Sequence, residues 1–438
     1  MSISLKGHRK PKRGSPPVEY SLLLTATLCL VAFGVVMVFS ASSTTSLLGQ
    51  TADSAYYLKR TLLFGAVGLV LMRLMALKGV RVVRPLTPLL LGAALVLLLV
   101  VLVPGVGSSA NGAQRWIGGG VFQIQPSEFA KLALVLYGAH LLASRPRTIR
   151  SVRDLVPYLL PVGVVCLLVL AEPDMGTAMV ACLTAGALML AAGVRLRTLA
   201  LLVGAVGGVL LLAIVIEPYR MQRLTGFLHP SVDPGGIGFQ AIQAKIALGS
   251  GGVFGVGLGE SIQKAFYLPE AHTDMIAAVI GEELGLLGIF GLVGLFGMFA
   301  YAGLRTAQRA RDRYTKLLAA GLTALVLTQA LINLFAVLGL APLTGVPLPF
   351  VSYGNSSLLV MLASVGLLLN IAKGARGTAA VAPSRSQKKL RVVDGGAARE
   401  RAAARTRSIS SGATSGHSRG RNRGTRSAGA RRSRRASR

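Results

Sequence analysis

Between Leu268 and Gly285 the chain reads Leu-Pro-Glu-Ala-His-Thr-Asp-Met-Ile-Ala-Ala-Val-Ile-Gly-Glu-Glu-Leu-Gly, which places Glu270, His272, Asp274, Glu282 and Glu283 within fourteen residues. The whole chain has only 16 Asp plus Glu, so this is a concentration of ionisable groups. They lie where a polar stretch runs into an apolar one. Ionised groups at such a boundary cost free energy unless they are solvated, paired or used. Used, they would move a proton or hold a cation.

Several other segments carry groups suited to chemistry. Asn111-Gly-Ala-Gln-Arg-Trp-Ile-Gly contains Trp116, the only tryptophan, and Arg115. Trp116 suits an aromatic interface anchor, and Arg115 could hold an anionic headgroup or phosphate. Pro126 suits a first helical turn, and Glu128 and Lys131 then fall three apart on one face, as a structural ion pair or as site groups. Glu172-Pro-Asp-Met-Gly is a tight turn in which Asp174 could cap the next helix. Arg220, Arg223, Lys245 and Lys264 are cations of the kind a pyrophosphate would need. The stretch Pro347 to Ser357 supplies Ser352, Tyr353, Asn355, Ser356 and Ser357 on a backbone stiffened by proline. It is either a rigid turn and cap or a substrate contact.

The elements that position these groups follow from composition. The 438 residues are 52% hydrophobic and 14% charged, with mean hydropathy +0.61. Repeated apolar runs near twenty residues predict an all-α polytopic membrane protein. Ten spans are expected, at about 20–41, 58–78, 85–104, 127–143, 155–172, 174–193, 198–217, 275–303, 316–340 and 356–373. Lys and Arg recur in alternate connections, which puts both termini in the cytoplasm and the stretches 104–126, 218–274 and 341–355 outside. The first apolar run is longer than a signal-peptide core and is expected to stay as an anchor. Cys29, Cys166 and Cys182 all sit in apolar runs and are expected to act as small hydrophobes.

The net charge of +31 is concentrated in the tail. From Lys373 to Arg438 there are 19 Lys plus Arg against Asp394 and Glu400, a net +17. Residues 1–19 form a basic cytoplasmic start, 20–373 the membrane domain, and 374–438 an Arg-rich tail expected to be disordered. Such a tail suits anionic lipid headgroups and does not call for a specific nucleic acid. Gly251-Gly-Val-Phe-Gly-Val-Gly-Leu-Gly259 has glycine spacing like a phosphate loop, but no strand-helix-strand context surrounds it. Close backbone approach or a re-entrant segment suits it better.

Arg115-Trp116-Ile117, Gln125-Pro-Ser-Glu-Phe-Ala-Lys131, Glu172-Pro-Asp-Met-Gly176, Gly257-Leu-Gly-Glu-Ser-Ile-Gln-Lys264, Leu268-Pro-Glu-Ala-His-Thr-Asp274 and Pro347-Leu-Pro-Phe-Val-Ser-Tyr-Gly-Asn-Ser-Ser357 stand in one order along the chain. Together they resemble the SEDS family (shape, elongation, division and sporulation) from about residue 20 to 373. The combination is most similar to the division members, with the elongation members as the alternative. The resemblance implies a peptidoglycan glycosyltransferase that polymerises lipid II on the outer membrane face. It also implies a class B penicillin-binding protein as partner, together with other division membrane proteins at the septum. Asn355 departs from the family's usual glycine, and Thr344 stands where some relatives carry a basic residue.

On this resemblance Asp274 is expected to be the base or to align the acceptor. Glu270 either assists it or holds a divalent ion, Mg or Mn, the one cofactor left open. Arg115, Lys131, Arg223 and Lys264 are the expected pyrophosphate contacts, with Trp116, Ser352, Tyr353 and Ser356 also lining the substrate. Glu128, Asp174, His272, Glu282 and Glu283 are expected in support. Two other classes fit the same chain. A lipid flippase would place charges near the midplane in broken helices, and a scaffold would use the Asp274 cluster to bind a partner.

Overall fold

The computed structural model describes residues 17–379, apart from 49–52, 106, 111–112, 120–122, 146–151, 231–232, 234, 237 and 266. The basic tail beyond residue 379 lies outside the described residues, as does the start of the chain.

The long apolar runs become helices, because a helix satisfies its backbone polar groups within its own segment. They are α1 (Val18–Leu48), α2 (Tyr56–Val101), α3 (Pro126–Ser144), α4 (Val156–Ala171), α5 (Met175–Ala192), α6 (Leu196–Ile216), α7 (Pro218–Leu228), α8 (Phe239–Ser250), α9 (Ile276–Gln308), α10 (Arg313–Val337) and α11 (Asn355–Ala379). Seven of these, α1, α2, α5, α6, α9, α10 and α11, are long and apolar enough to cross a membrane. The expected count of ten differs for three reasons. α4 has only 16 residues, and α3 buries Glu128 and Lys131 in its first turns. The runs expected at 58–78 and 85–104 are joined in the 46-residue α2.

Straight, α2 would extend about 69 Å, and its contacts show that it doubles back. Tyr57 near its start meets the Tyr353 ring edge-on at 4.8 Å. Arg84 midway lies over the Tyr314 ring at 4.6 Å. Tyr314 opens α10, about 28 Å of helix away from Asn333 near the other end. Val101 at the end of α2 then returns to Gly107, in a strand pair that reaches Glu172. The reversal falls where Lys78, Arg81 and Arg84 are followed by the internal prolines Pro85 and Pro88. Proline removes a backbone donor and is the usual cause of a sharp kink.

Helices α1 and α9 run antiparallel. Glu19 pairs with Arg309 at one end, and Ser40 bonds Glu283 near the other. Of the seven long apolar helices α11 is the most buried, with 89% of its apolar window inside the protein, whereas α6 has only 6% of its window covered. Among the described residues the fold is helical apart from one hairpin, β1 (Gly107–Ala110) and β2 (Ala113–Ile117), which the all-α expectation missed. It is antiparallel, with Ser108 opposite Trp116. All three cysteines are free.

Helix α9 is interrupted at Gly285, with φ 63° and ψ −159°, a conformation open to glycine. The break frees backbone groups that the Gly251–Gly257 stretch takes up. Val256 and Gly257 donate to the carbonyls of Glu282 and Glu283 at 3.0 and 3.1 Å, and Leu286 donates to Gly252 at 3.0 Å. The glycine run is therefore a backbone clasp around a broken helix.

Candidate functional site

At the end of the bundle where α9 begins, a cavity of about 310 Å³ is walled by Arg115, Trp116, Glu128, Asp174, Gln240, Glu270, Thr273, Asp274, Pro347, Tyr353, Asn355 and Ser357, among others. Ligand pockets usually hold at least about 300 Å³, so this volume suits the reacting end of a larger substrate.

Asp274 lies in a turn just before α9 and is 8% exposed. The helix begins at Ile276, so Glu270 and Asp274 are brought together by a turn and not by helical spacing. Thr273 and Met275 donate their N–H groups to the Glu270 carbonyl at 3.1 and 3.3 Å. Closing this turn puts Glu270 at φ 56°, the left-handed region that costs a side chain free energy. The Thr273 hydroxyl donates to Glu270 Oε2 at 2.8 Å and lies 3.4 Å from Asp274 Oδ1. Behind them, Asn333 Nδ2 on α10 donates to the Asp274 carbonyl at 2.7 Å and to the Val346 carbonyl at 2.8 Å. One amide thus fixes the acidic turn and the proline-rich loop together.

His272 packs between Tyr57, 4.2 Å away, and Tyr353, 5.7 Å away. Burial holds its imidazole below the usual range, while Glu270 pulls it upward. The Tyr353 N–H donates to the His272 carbonyl at 3.0 Å. His272 is therefore a packing element beside the cavity that ties the acidic turn to the last loop.

Arg115 is delivered by β2 and donates from Nε to the Glu172 carbonyl at 3.2 Å and to the Pro173 carbonyl. Asp174 caps α5, accepting from Thr177 N at 3.0 Å and Thr177 Oγ1 at 2.8 Å. Gln125 Nε2 donates to its second oxygen at 3.3 Å. Gly176 in the first turn of α5 lets the last loop approach closely, since a Cβ there would stand 2.5 Å from the Thr344 carbonyl. Glu172 is fully buried, and neither carboxylate oxygen meets a donor among the described residues. Burial, and then the charge of Asp174, push its acid up to about 8 against the pull of Arg115.

The expected cations divide. Lys131 is 1% exposed and bonds Glu128 Oε1 at 2.9 Å and Gln329 Oε1 at 2.7 Å. Gln329 donates onward to the Pro347 carbonyl at 3.0 Å and to Ser357 at 3.1 Å. Lys264 bonds Glu283 Oε1 at 2.8 Å, Ser40 at 3.2 Å and the Gly259 carbonyl at 2.7 Å. A buried charge needs such partners, so the fold keeps both lysines inside and off the cavity wall. Glu282 accepts from Ser261 at 2.5 Å and from Ile262 N at 3.0 Å. Glu282 and Glu283 thereby anchor the loop after the glycine clasp. The side chain of Arg223 lies outside the described residues.

Ser352 accepts from Leu348 N at 2.8 Å and Ser356 accepts from Gln125 N at 3.0 Å. Both bond within the protein, while Asn355 and Ser357 face the cavity. Asn355 begins α11 without a positive φ, so its departure from glycine adds no strain. Among the described residues no three His, Cys, Asp or Glu side chains gather into a metal cluster. Mg²⁺ commonly uses one or two carboxylates plus water and substrate phosphates, and Glu270 fits that lesser demand.

Gln329 and Asn333 went unrecognised in the sequence, although polar residues four apart in an apolar span are a signal. Tyr57, Gln240 and Thr273 carry no such signal.

The family of cell cycle proteins that groups FtsW, RodA and SpoVE matches residues 20–377. A probable peptidoglycan glycosyltransferase FtsW of Trichlorobacter lovleyi is 43% identical over 84% of this chain and 96% of its own length. Stage V sporulation protein E of Bacillus subtilis is 41% identical over 83% of this chain and 99% of its own. Among solved structures, a chain from a peptidoglycan synthase complex that coordinates polymerization and crosslinking superposes with TM-score 0.66 at 30% identity, covering 81% of this chain and 97% of that one. The Rod shape determining protein RodA of Thermus thermophilus superposes with TM-score 0.60 at 30% identity, covering 81% and 96%.

Proposed function

The chain belongs to the FtsW, RodA and SpoVE family of cell cycle proteins, and from that premise we infer that it is a peptidoglycan glycosyltransferase of septal wall synthesis. It is a membrane protein that polymerises lipid II on the outer face of the bacterial cytoplasmic membrane. The observation that carries the assignment is the single cavity in which Asp274 and Glu270 face Arg115 and Trp116.

Chain growth needs an acceptor sugar hydroxyl to attack an anomeric carbon. In a direct displacement the new C–O bond forms as the bond to the lipid pyrophosphate breaks. The electron pair leaves on the pyrophosphate oxygen and the hydroxyl proton passes to a base. Asp274 is that base, held by Asn333 through its carbonyl. Glu270, linked to it through Thr273, aligns the acceptor. A divalent ion held by Glu270 would supply charge to the phosphates. Arg115, fixed by two backbone carbonyls, presents its guanidinium to the substrate.

The hairpin course of α2, with α3 and α4 as further crossings, supports ten passes through the membrane with both termini cytoplasmic. The stretch between α6 and α9, containing α7 and α8, is then the outer loop. A class B penicillin-binding protein is the partner, alongside other division membrane proteins, and the basic tail meets anionic lipid. A transporter would use a broken helix with charges near the midplane, and α9 does break beside Glu282 and Glu283. Both carboxylates, however, are taken up by Ser261, Lys264 and Ser40, and the clasp fills the break.

The purified chain with its partner should convert lipid II into glycan strands resolved on a gel. Translocation of lipid II across liposomes with no glycan formed would replace this assignment with a flippase.

A further inference from the structure

Displacement at the anomeric carbon leaves a pyrophosphate, and its charge must meet a cation. Lys131 and Lys264 are held in buried ion pairs. Arg115 reaches the Asp274 cavity with two nitrogens already on backbone carbonyls. A further cation would share that charge with Arg115 and with a divalent ion held at Glu270.

A second cavity, of about 250 Å³, lies beside the first. Lys245, Gln222 and Gln240 give it polar groups, and Phe227, Ala336 and Leu343 give it an apolar wall. The two cavities share Gln240, whose Nε2 donates to the Pro269 carbonyl at 3.4 Å, just before Glu270. They also share one length of chain. Ala341 and Leu343 line the second cavity, while Gly345 and Pro347 line the first.

Lys245 projects from α8 on its exposed side and enters no ion pair among the described residues. Its Cε lies against Gly339, at the end of α10, where a Cβ would stand only 2.7 Å away. The ammonium is therefore seated against the protein yet open to a ligand. A cation beside an apolar wall matches a phosphate carried on a prenyl chain.

We infer that this second cavity is the polyprenyl-pyrophosphate subsite of the donor, with Lys245 as its phosphate-binding cation. The inference rests on the glycosyltransferase assignment above. The donor lies across Gln240, with its anomeric carbon in the Asp274 cavity and its phosphates and first prenyl units beyond. Lys245 binds the pyrophosphate in the ground state and gains as negative charge builds on the leaving oxygen.

The test uses the purified chain with its partner, and farnesyl pyrophosphate and farnesyl monophosphate as probes, in direct binding and as inhibitors of lipid II polymerisation. Lys245→Met should weaken farnesyl pyrophosphate binding by about tenfold or more, the usual effect of losing a charged hydrogen bond. Monophosphate binding should fall less, and the KM for lipid II should rise. Lys245→Arg should restore most of the pyrophosphate affinity. Unchanged binding in Lys245→Met overturns the subsite, as does a loss that arginine fails to restore. If the wild-type complex makes no glycan, the glycosyltransferase assignment falls, and direct binding of the two probes still decides the subsite.

Discussion

The side chain of Asn333 donates at 2.7 Å to the backbone carbonyl of Asp274, 59 residues earlier. The same amide nitrogen reaches the Val346 carbonyl at 2.8 Å, so a single buried group joins the acidic turn to the loop opposite. One helical turn earlier, Gln329 performs a parallel task between Lys131, Pro347 and Ser357. Helix α10 thus holds the site from behind without entering it.

Replacing Asn333 with Leu should leave both carbonyls without this donor. The cost in stability is about 2 kcal/mol, from buried acceptors losing their partner. Turnover of lipid II should fall by about tenfold or more because Asp274 loses its position, with KM changing little. Thermal unfolding and steady-state polymerisation, measured together, separate the two effects.

The Glu128–Lys131 pair is 1% exposed on both sides. Lys131→Met alone should destabilise the protein by about 3–5 kcal/mol, because it strands a buried carboxylate. Adding Glu128→Gln should recover most of that loss. A double-mutant cycle on unfolding in detergent reads the coupling, and simple additivity would contradict the buried pair.

Glu270 holds φ at 56°. Glu270→Gly should be more stable than Glu270→Ala by about 1 kcal/mol, since glycine enters this region without a Cβ clash. Both should lose activity, because both lack the carboxylate. Comparing their unfolding temperatures checks the strain, and comparing their polymerisation rates checks the carboxylate.

Glu172 supplies a pH dependence whose sign is fixed. Its acid is raised from 4.5 to about 8 in the folded protein, chiefly by burial. Between those values the unfolded chain gives up the proton and the folded one keeps it. Stability from this group should therefore fall as pH rises from about 4.5 to about 8. In Glu172→Gln that slope should vanish, as seen in unfolding temperatures across the range.

Much of this architecture was legible in the chain. Hydropathy marks the spans because hydrocarbon demands apolar length, and the crowding of Glu270, His272 and Asp274 marks the cavity. What hydropathy could not show is pairing. Lys131 and Lys264 are visible as cations, but only the fold sets Lys131 against Gln329, 198 residues away, and Lys264 against Ser40, 224 away. Glu270 and Asp274 stand four apart in sequence, but a turn with Glu270 at positive φ brings them together, because the helix begins only at Ile276. Asn333 looked ordinary because its neighbours come from distant segments, and Lys245 was visible as a cation while its place beside Gly339 was not.

The central claim is that Asp274 takes the acceptor's proton. Its most direct test is the purified complex carrying Asp274→Asn, assayed for glycan strands from lipid II beside wild type. Unfolding temperature and farnesyl pyrophosphate binding serve as controls for fold and donor site. The account predicts loss of polymerisation by about a hundredfold or more, in line with the usual weight of a general base, with both controls unchanged. Near-normal glycan strands from the well-folded variant would contradict it.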